Sequence, residues 1–223
     1  MTTSEPVGGR VGEPLDDRSS AQRGAVRARR ADLLDRLCDL FLAEGFAHCT
    51  LGDLAARLHC SKSTLYTLAD SKEQLAVRVV GHYFKRATDH VEQRGVHGID
   101  DVAERVRAYL DAASEALRPA SRQFIDDVAA QSATRETYEA NARAAADRLC
   151  GFIDEGVARG AFRPVRAAFV AEVIGRTVSG IQRGEVGANT GLTDAEAFAE
   201  LAQFLLGGLS VEPGHSAGPT EEQ

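Results

Sequence analysis

Between positions 62 and 67 the chain reads Lys62-Ser63-Thr64-Leu65-Tyr66-Thr67, one cation and four hydroxyls around a single apolar residue. The chemistry on offer is hydrogen bonding and charge pairing, not bond making. Ser61 is a good N-cap, so the segment reads as a short helix with Leu65 turned inward. Its exposed hydroxyls and Lys62 then sit close to a helix N-terminus, where the dipole favours phosphate. A small polar surface helix has the same composition, so the neighbours must decide.

Those neighbours form a recognisable frame. Thr50 caps a helix with Asp53 at the capping-box position, and Leu51, Leu54, Ala55 and Leu58 make one buried stripe about two turns long. His59-Cys60 leaves room only for a corner. Ser71 with Gln74 caps the following helix. Two short helices across a tight turn are the helix-turn-helix unit, whose second helix enters the DNA major groove.

The wider sequence points away from catalysis. It contains no nucleophile elbow, phosphate loop, paired-His metal motif or dinucleotide fingerprint. Asp126-Asp127 and Glu136/Glu139 are carboxylate pairs on expected helices and read as solvated faces. The four cysteines lack a C-x-x-C pair, and the eleven-residue spacing of Cys38, Cys49 and Cys60 matches no zinc pattern. Cys38 and Cys60 read as small core hydrophobes, and no metal or cofactor is expected; a sensing site at His48-Cys49 and His59-Cys60 is the minor alternative.

At 223 residues and 43% hydrophobic, the chain can bury one or two substantial cores. Few aromatics, no Trp and abundant Ala, Leu, Arg and Glu favour an all-α fold. No apolar run approaches a membrane span, and the N-terminus lacks a signal-peptide core, so a cytoplasmic location is expected. The net charge is −7, yet residues 23–94 carry 12 Lys/Arg against 9 Asp/Glu, whereas 95–223 carry 12 against 20. A modest basic head on an acidic body suits a sequence-specific DNA binder.

About nine helices are expected. Residues 1–26 read as a disordered arm, 27–70 as the DNA-binding domain, 71–210 as a helical body for effector binding and dimerisation, and 211–223 as a disordered tail. The first helix is expected from Arg27 to Glu44, stopped by Gly45. The last two, Val165 to Arg183 and Asp194 to Leu209, carry more apolar positions than one intrachain stripe consumes. Val173, Ile174, Val178, Phe198, Leu201, Leu205 and Leu206 are therefore expected to form a two-fold dimer interface; ordinary packing within one chain is the alternative.

With the helix before it, Thr50 to Leu75 resembles the DNA-binding domain of TetR-family transcriptional regulators. Ser61-Lys62-Ser63-Thr64-Leu65-Tyr66, followed by Ser71-Lys72-Glu73, carries the resemblance, which spans about residues 29–94. Beyond it the match is one of helix layout. His59 stands where the family usually has Gly, at a position that needs positive φ, and Thr67, Leu68 and Ala69 replace a frequent Tyr-His-Phe.

The resemblance implies a homodimeric regulator that binds a palindromic operator in double-stranded DNA through Thr50, Lys62, Ser63, Thr64, Tyr66, Thr67 and Lys72. It also implies an effector pocket between the middle helices, with Phe84, Tyr109, Phe124, Val128, Tyr138 and Phe152 as candidate lining. The expected action is repression relieved by a small, mainly apolar ligand, neutral or cationic. The alternatives are an all-α DNA-associated interaction protein without an effector, or a small helical enzyme.

Overall fold

The computed structural model describes residues 15–211, and the outer parts of the expected arm and tail lie outside them. Ten α-helices make up this span: α1 (Leu15–Glu44), α2 (Leu51–Arg57), α3 (Lys62–Tyr66), α4 (Lys72–Val91), α5 (Val102–Leu117), α6 (Arg122–Ala130), α7 (Ser132–Ala158), α8 (Ala167–Gln182), α9 (Glu185–Thr190) and α10 (Asp194–Leu209). A turn of π-helix, Glu92–Val96, extends α4. The described residues contain no strand, only a β-bridge between Phe162 and Ser210.

Local chemistry sets most boundaries. The side chains of Thr50, Ser61, Ser71, Asp101, Ser121 and Thr193 each accept from the backbone N–H three residues on, satisfying donors that the first helical turn leaves over. Two boundaries differ from expectation. α1 begins at Leu15 rather than Arg27, so residues 15–26 are helical although they carry no apolar period. The six-residue α9 lies where a loop was expected, between Gly184 and Gly191, both in the left-handed region.

Two cores divide the molecule. The first joins α1, α2, α3 and the N-terminal part of α4, around Leu37, Phe41, Phe46, Leu54, Leu65 and Val79, and also takes in Phe124, Ile125 and Val128 of α6. The second joins α5, α7, α8 and α10 around Val106, Leu149, Ile153, Ile181 and Leu205, with Val91 at the end of α4. α4 thus supplies fully buried residues to both, and Leu117 of α5 and Tyr138 of α7 pack partly buried against the first.

Burial within the single chain divides the residues of the expected dimer face. Ile174, Phe198, Leu201, Leu205 and Leu206 are buried in the chain's own second core, and Val178 packs partly buried against it. Of the seven, only Val173 is exposed. The large apolar side chains that α8 and α10 leave in solvent are Phe169, Val173 and Phe204. One helix has only one inward stripe, and which residues fill it depends on the helix packed opposite.

Candidate functional site

α2 and α3 meet at the corner Leu58–Cys60, where His59 has φ 52°, the left-handed conformation expected there. The corner is closed by Cys60 N–H to Ala55 O at 2.9 Å. Leu54, Ala55, Leu58 and Leu65 bury the inner faces of both helices, which leaves Lys62, Ser63, Tyr66 and Thr67 exposed. Tyr66 is 51% exposed, a large side chain held half in solvent.

The expected contact residues divide into outward groups and groups that first hold the frame. Ser61 Oγ lies 2.7 Å from Ser63 Oγ and 2.8 Å from Thr64 Oγ1, so the hydroxyls at the start of α3 form one network. Thr64 is half-buried within it. Thr50 donates its hydroxyl to Asp53 Oδ2 at 2.7 Å and accepts from Asp53 N–H, a reciprocal capping box. The Thr50 hydroxyl and backbone N–H hold the Asp53 carboxyl below its usual range. Lys72 Nζ donates to Ala47 O at 2.7 Å, which bridges the start of α4 to the turn before α2.

Four residues that pattern reading does not single out position this unit. Arg36 of α1 donates to Leu58 O at 2.8 Å, and Arg78 of α4 donates to Leu68 O at 2.8 Å. Arg30 donates to Thr67 O. These guanidinium groups meet carbonyls that the ends of α2 and α3 leave over, at the negative end of each helix dipole. Gly52 is the fourth. A Cβ there would come within 3.0 Å of Lys62 Cε, so the absent side chain gives the Lys62 stem its path across α2.

The turn between α1 and α2 is held from the body. Asp127 of α6 is only 4% exposed, which corrects its reading as a solvated carboxylate, whereas Asp126 beside it is exposed. Ser121 N–H donates to Leu42 O at 2.8 Å and ties the start of α6 to the end of α1.

A cavity of about 390 Å³ lies between α4, α5 and α7. Phe84, Ala87, Val91, Ala113, Leu117 and Ala145 supply apolar wall, and Thr88, Asn141 and Tyr109 supply polar groups. Arg148 Nη2 meets Glu92 Oε2 at 2.9 Å on its lining. Burial pushes the Tyr109 phenol up to about 12, so it is a neutral donor, to Ala145 O at 3.2 Å.

Of the six expected lining residues, Phe84 and Tyr109 border this cavity, and the other four do not. Phe124 and Val128 fill the first core, and Phe152 is buried edge-on against Tyr109. Tyr138 packs edge-on to Phe84 and donates to Gln182 Oε1 at 3.0 Å. Among the described residues no three His, Cys, Asp or Glu side chains gather as metal ligands. Burial raises the Cys38 thiol to about 11, so it stays protonated.

The model for bacterial regulatory proteins of the tetR family matches residues 33–79, the span from α1 through the first turns of α4. No curated protein matches the chain. A transcriptional regulator from Saccharomonospora viridis, solved in complex with choline, is 18% identical, with a TM-score of 0.71 over 83% of this chain and 100% of its own. A TetR-family transcriptional regulator from Agrobacterium tumefaciens is 19% identical, with a TM-score of 0.66 over 83% and 99%. SmeT, solved in complex with triclosan, is 19% identical, with a TM-score of 0.66 over 87% and 100%. At such identities the likeness over the body is one of fold. The helix-turn-helix domain at residues 33–79 belongs to the tetR family of bacterial regulatory proteins, and the chain that carries it has the fold of a TetR-family regulator.

Proposed function

We propose that this protein is a transcriptional repressor that binds a palindromic operator as a homodimer and leaves it when a small, mainly apolar molecule occupies the cavity between α4, α5 and α7. The observation that carries the reading is the double membership of α4. Leu75, Val79 and Tyr83 belong to the core under α2 and α3, while Phe84, Ala87, Thr88 and Val91, later on the same helix, wall the cavity. A ligand that spreads α4 from α7 moves the helix on which α3 is seated. It can shift the balance only by its differential affinity for the two arrangements.

The cavity suits a small molecule in size and in its mixture of apolar wall with a few polar groups. Two proteins of the same fold were solved with small molecules, one cationic and one largely apolar, which supports an effector of this class here. Lys62, Ser63, Thr64 and Tyr66 are the proposed direct DNA contacts, with Thr67 beside them and Thr50 and Lys72 at the edge. A single α3 reads only a few base pairs, so two copies related by a two-fold axis are needed for a specific site. Phe169 and Val173 of α8 and Phe204 of α10 are the exposed apolar groups proposed to meet their symmetry mates.

An operator selected from a random duplex pool allows the test. A compound that raises the melting temperature is then added at saturation and operator affinity is measured again. A fall of about tenfold or more, corresponding to roughly 1.4 kcal/mol of coupling, is expected. Unchanged affinity would remove the cavity from regulation. Lys62→Ala should weaken binding to all sequences alike, whereas Thr64→Ala should relax preference at one or two base pairs.

A further inference from the structure

Gln182, the last residue of α8, carries an amide whose hydrogen bonding is met on one side only. The residue is 9% exposed. Its Oε1 accepts from the Tyr138 hydroxyl at 3.0 Å, and its Nε2 is buried without a hydrogen-bond partner. Among the described residues it is the one buried side-chain nitrogen or oxygen left so. An unmet buried donor is costly, and a leucine at this place would avoid the cost. The amide therefore points to a partner that comes from outside the chain.

Gln182 borders a small cavity of about 60 Å³ between the C-terminal ends of α5 and α8 and the start of α10. Leu117, Ile181 and Phe198 are its apolar wall, Ser114 adds a hydroxyl, and Arg118 and Asp194 are its only charged lining residues. One cation and one anion leave it without net charge. Leu117, itself half-buried, also borders the larger cavity between α4, α5 and α7. Tyr138, which holds the Gln182 amide, packs edge-on against Phe84 in the wall of that larger cavity. A shared leucine and the contacts from Phe84 through Tyr138 to Gln182 thus join the two spaces.

We propose that the small cavity receives one end of the effector, and that Gln182 Nε2 donates to a neutral acceptor oxygen there, a ketone, ester or ether on an otherwise apolar molecule. A space of about 60 Å³ admits a group of a few heavy atoms, whereas benzene occupies a cavity of roughly 150 Å³. A carboxylate would face Asp194 as well as Arg118, and an ammonium offers Nε2 no acceptor. The oxygen satisfies a donor that the chain by itself leaves over, so binding favours the arrangement in which Gln182 meets it. The inference rests on the reading of the cavity between α4, α5 and α7 as the effector site.

The test titrates the full-length parent and Gln182→Met with benzylacetone and with butylbenzene, which share a carbon skeleton and differ by one carbonyl oxygen. Methionine fills the same space without an amide, and the half-buried Tyr138 hydroxyl can turn to water. The ratio of ketone to hydrocarbon affinity should fall about tenfold from parent to variant, with the melting temperature held. In the parent alone, the isotope-labelled Gln182 side-chain amide signal should move with benzylacetone and stay in place with butylbenzene, a readout that needs no variant. Equal ratios in the two proteins, or an amide signal that bound benzylacetone does not move, would overturn this proposal alone and leave the larger cavity as the effector site. A parent that binds neither probe would overturn it together with the effector reading of that cavity.

Discussion

Asp127 Oδ2 accepts two backbone hydrogen bonds, from Phe46 N–H at 2.5 Å and Ala47 N–H at 2.7 Å, across some eighty residues of sequence. Oδ1 accepts from Gln123 Nε2 at 2.8 Å, so the buried carboxylate is satisfied at both oxygens. Gly45 makes the approach possible: it has φ 76°, and a Cβ there would meet Asp127 Oδ2 at 2.5 Å. One carboxylate therefore fixes α6 of the body to the turn that leads into the DNA-binding helices.

Replacing Asp127 should be costly because two buried N–H groups lose their acceptor. Asp127→Ala is expected to destabilise by about 2–4 kcal/mol in urea denaturation. Asp127→Asn keeps an acceptor for both N–H groups and should cost less than half as much. Equal losses for the two variants would mean that the charge, and not the hydrogen bonding, holds the contact.

At the α2–α3 corner, His59 occupies the left-handed region with φ 52°. That conformation costs an L-residue roughly 1–2 kcal/mol, while glycine avoids the strain but gives back about 0.5–1 kcal/mol in unfolded-chain entropy. His59→Gly should thus be neutral to stabilising by about 1 kcal/mol, and His59→Val, β-branched, should destabilise by at least 1 kcal/mol. The order Gly, His, Val in melting temperature is the check; Val at or above His would contradict it.

Tyr109 predicts an alkaline limit. Its folded pKa, about 12, exceeds the ordinary value of 10, so the neutral phenol's stabilisation is complete below pH 10 and is lost as pH rises toward 12. Two pH units correspond to roughly 2–3 kcal/mol at most. Tyr109→Phe should cost within about 1 kcal/mol at pH 7, for the hydrogen bond to Ala145 O, and should lose less stability than the parent between pH 10 and 12. Tyr83, also raised by burial, stays in both proteins, so the difference isolates Tyr109. Parallel losses in parent and variant would refute the assignment.

Assembly should depend on the exposed apolar groups and not on the buried ones. Phe204 is 80% exposed and Phe169 69% exposed, on helices that pack against each other. Phe204→Asp should shift the mass of a dilute sample from dimer toward monomer without lowering the melting temperature of the monomer. Leu205→Ala, in contrast, should cost about 2–5 kcal/mol of stability through the core. A parent that is monomeric at micromolar concentration would remove the two-fold model.

The helix-turn-helix could be read from sequence because its determinants are local. Thr50 with Asp53, Ser61, and Ser71 with Gln74 cap helices within three residues of themselves, and the stripe Leu51, Leu54, Ala55 and Leu58 needs only helical period to be seen. The positive φ at His59 was implied by the resemblance, since glycine usually stands at that corner in the family, and not by the local pattern. Tertiary structure decided what such rules cannot reach. A carboxylate on an amphipathic helix looks the same whether it meets water, as Asp126 does, or two N–H groups eighty residues away, as Asp127 does. The apolar period of α8 and α10 showed that they bury a face, but the opposing helices determined that Ile174 and Leu205 would lie inside and Phe204 outside. The aromatic candidates for the cavity separated likewise: Phe84 and Tyr109 face the space between α4, α5 and α7, whereas Phe124 and Phe152 fill cores, because a cavity is left by how three helices cross.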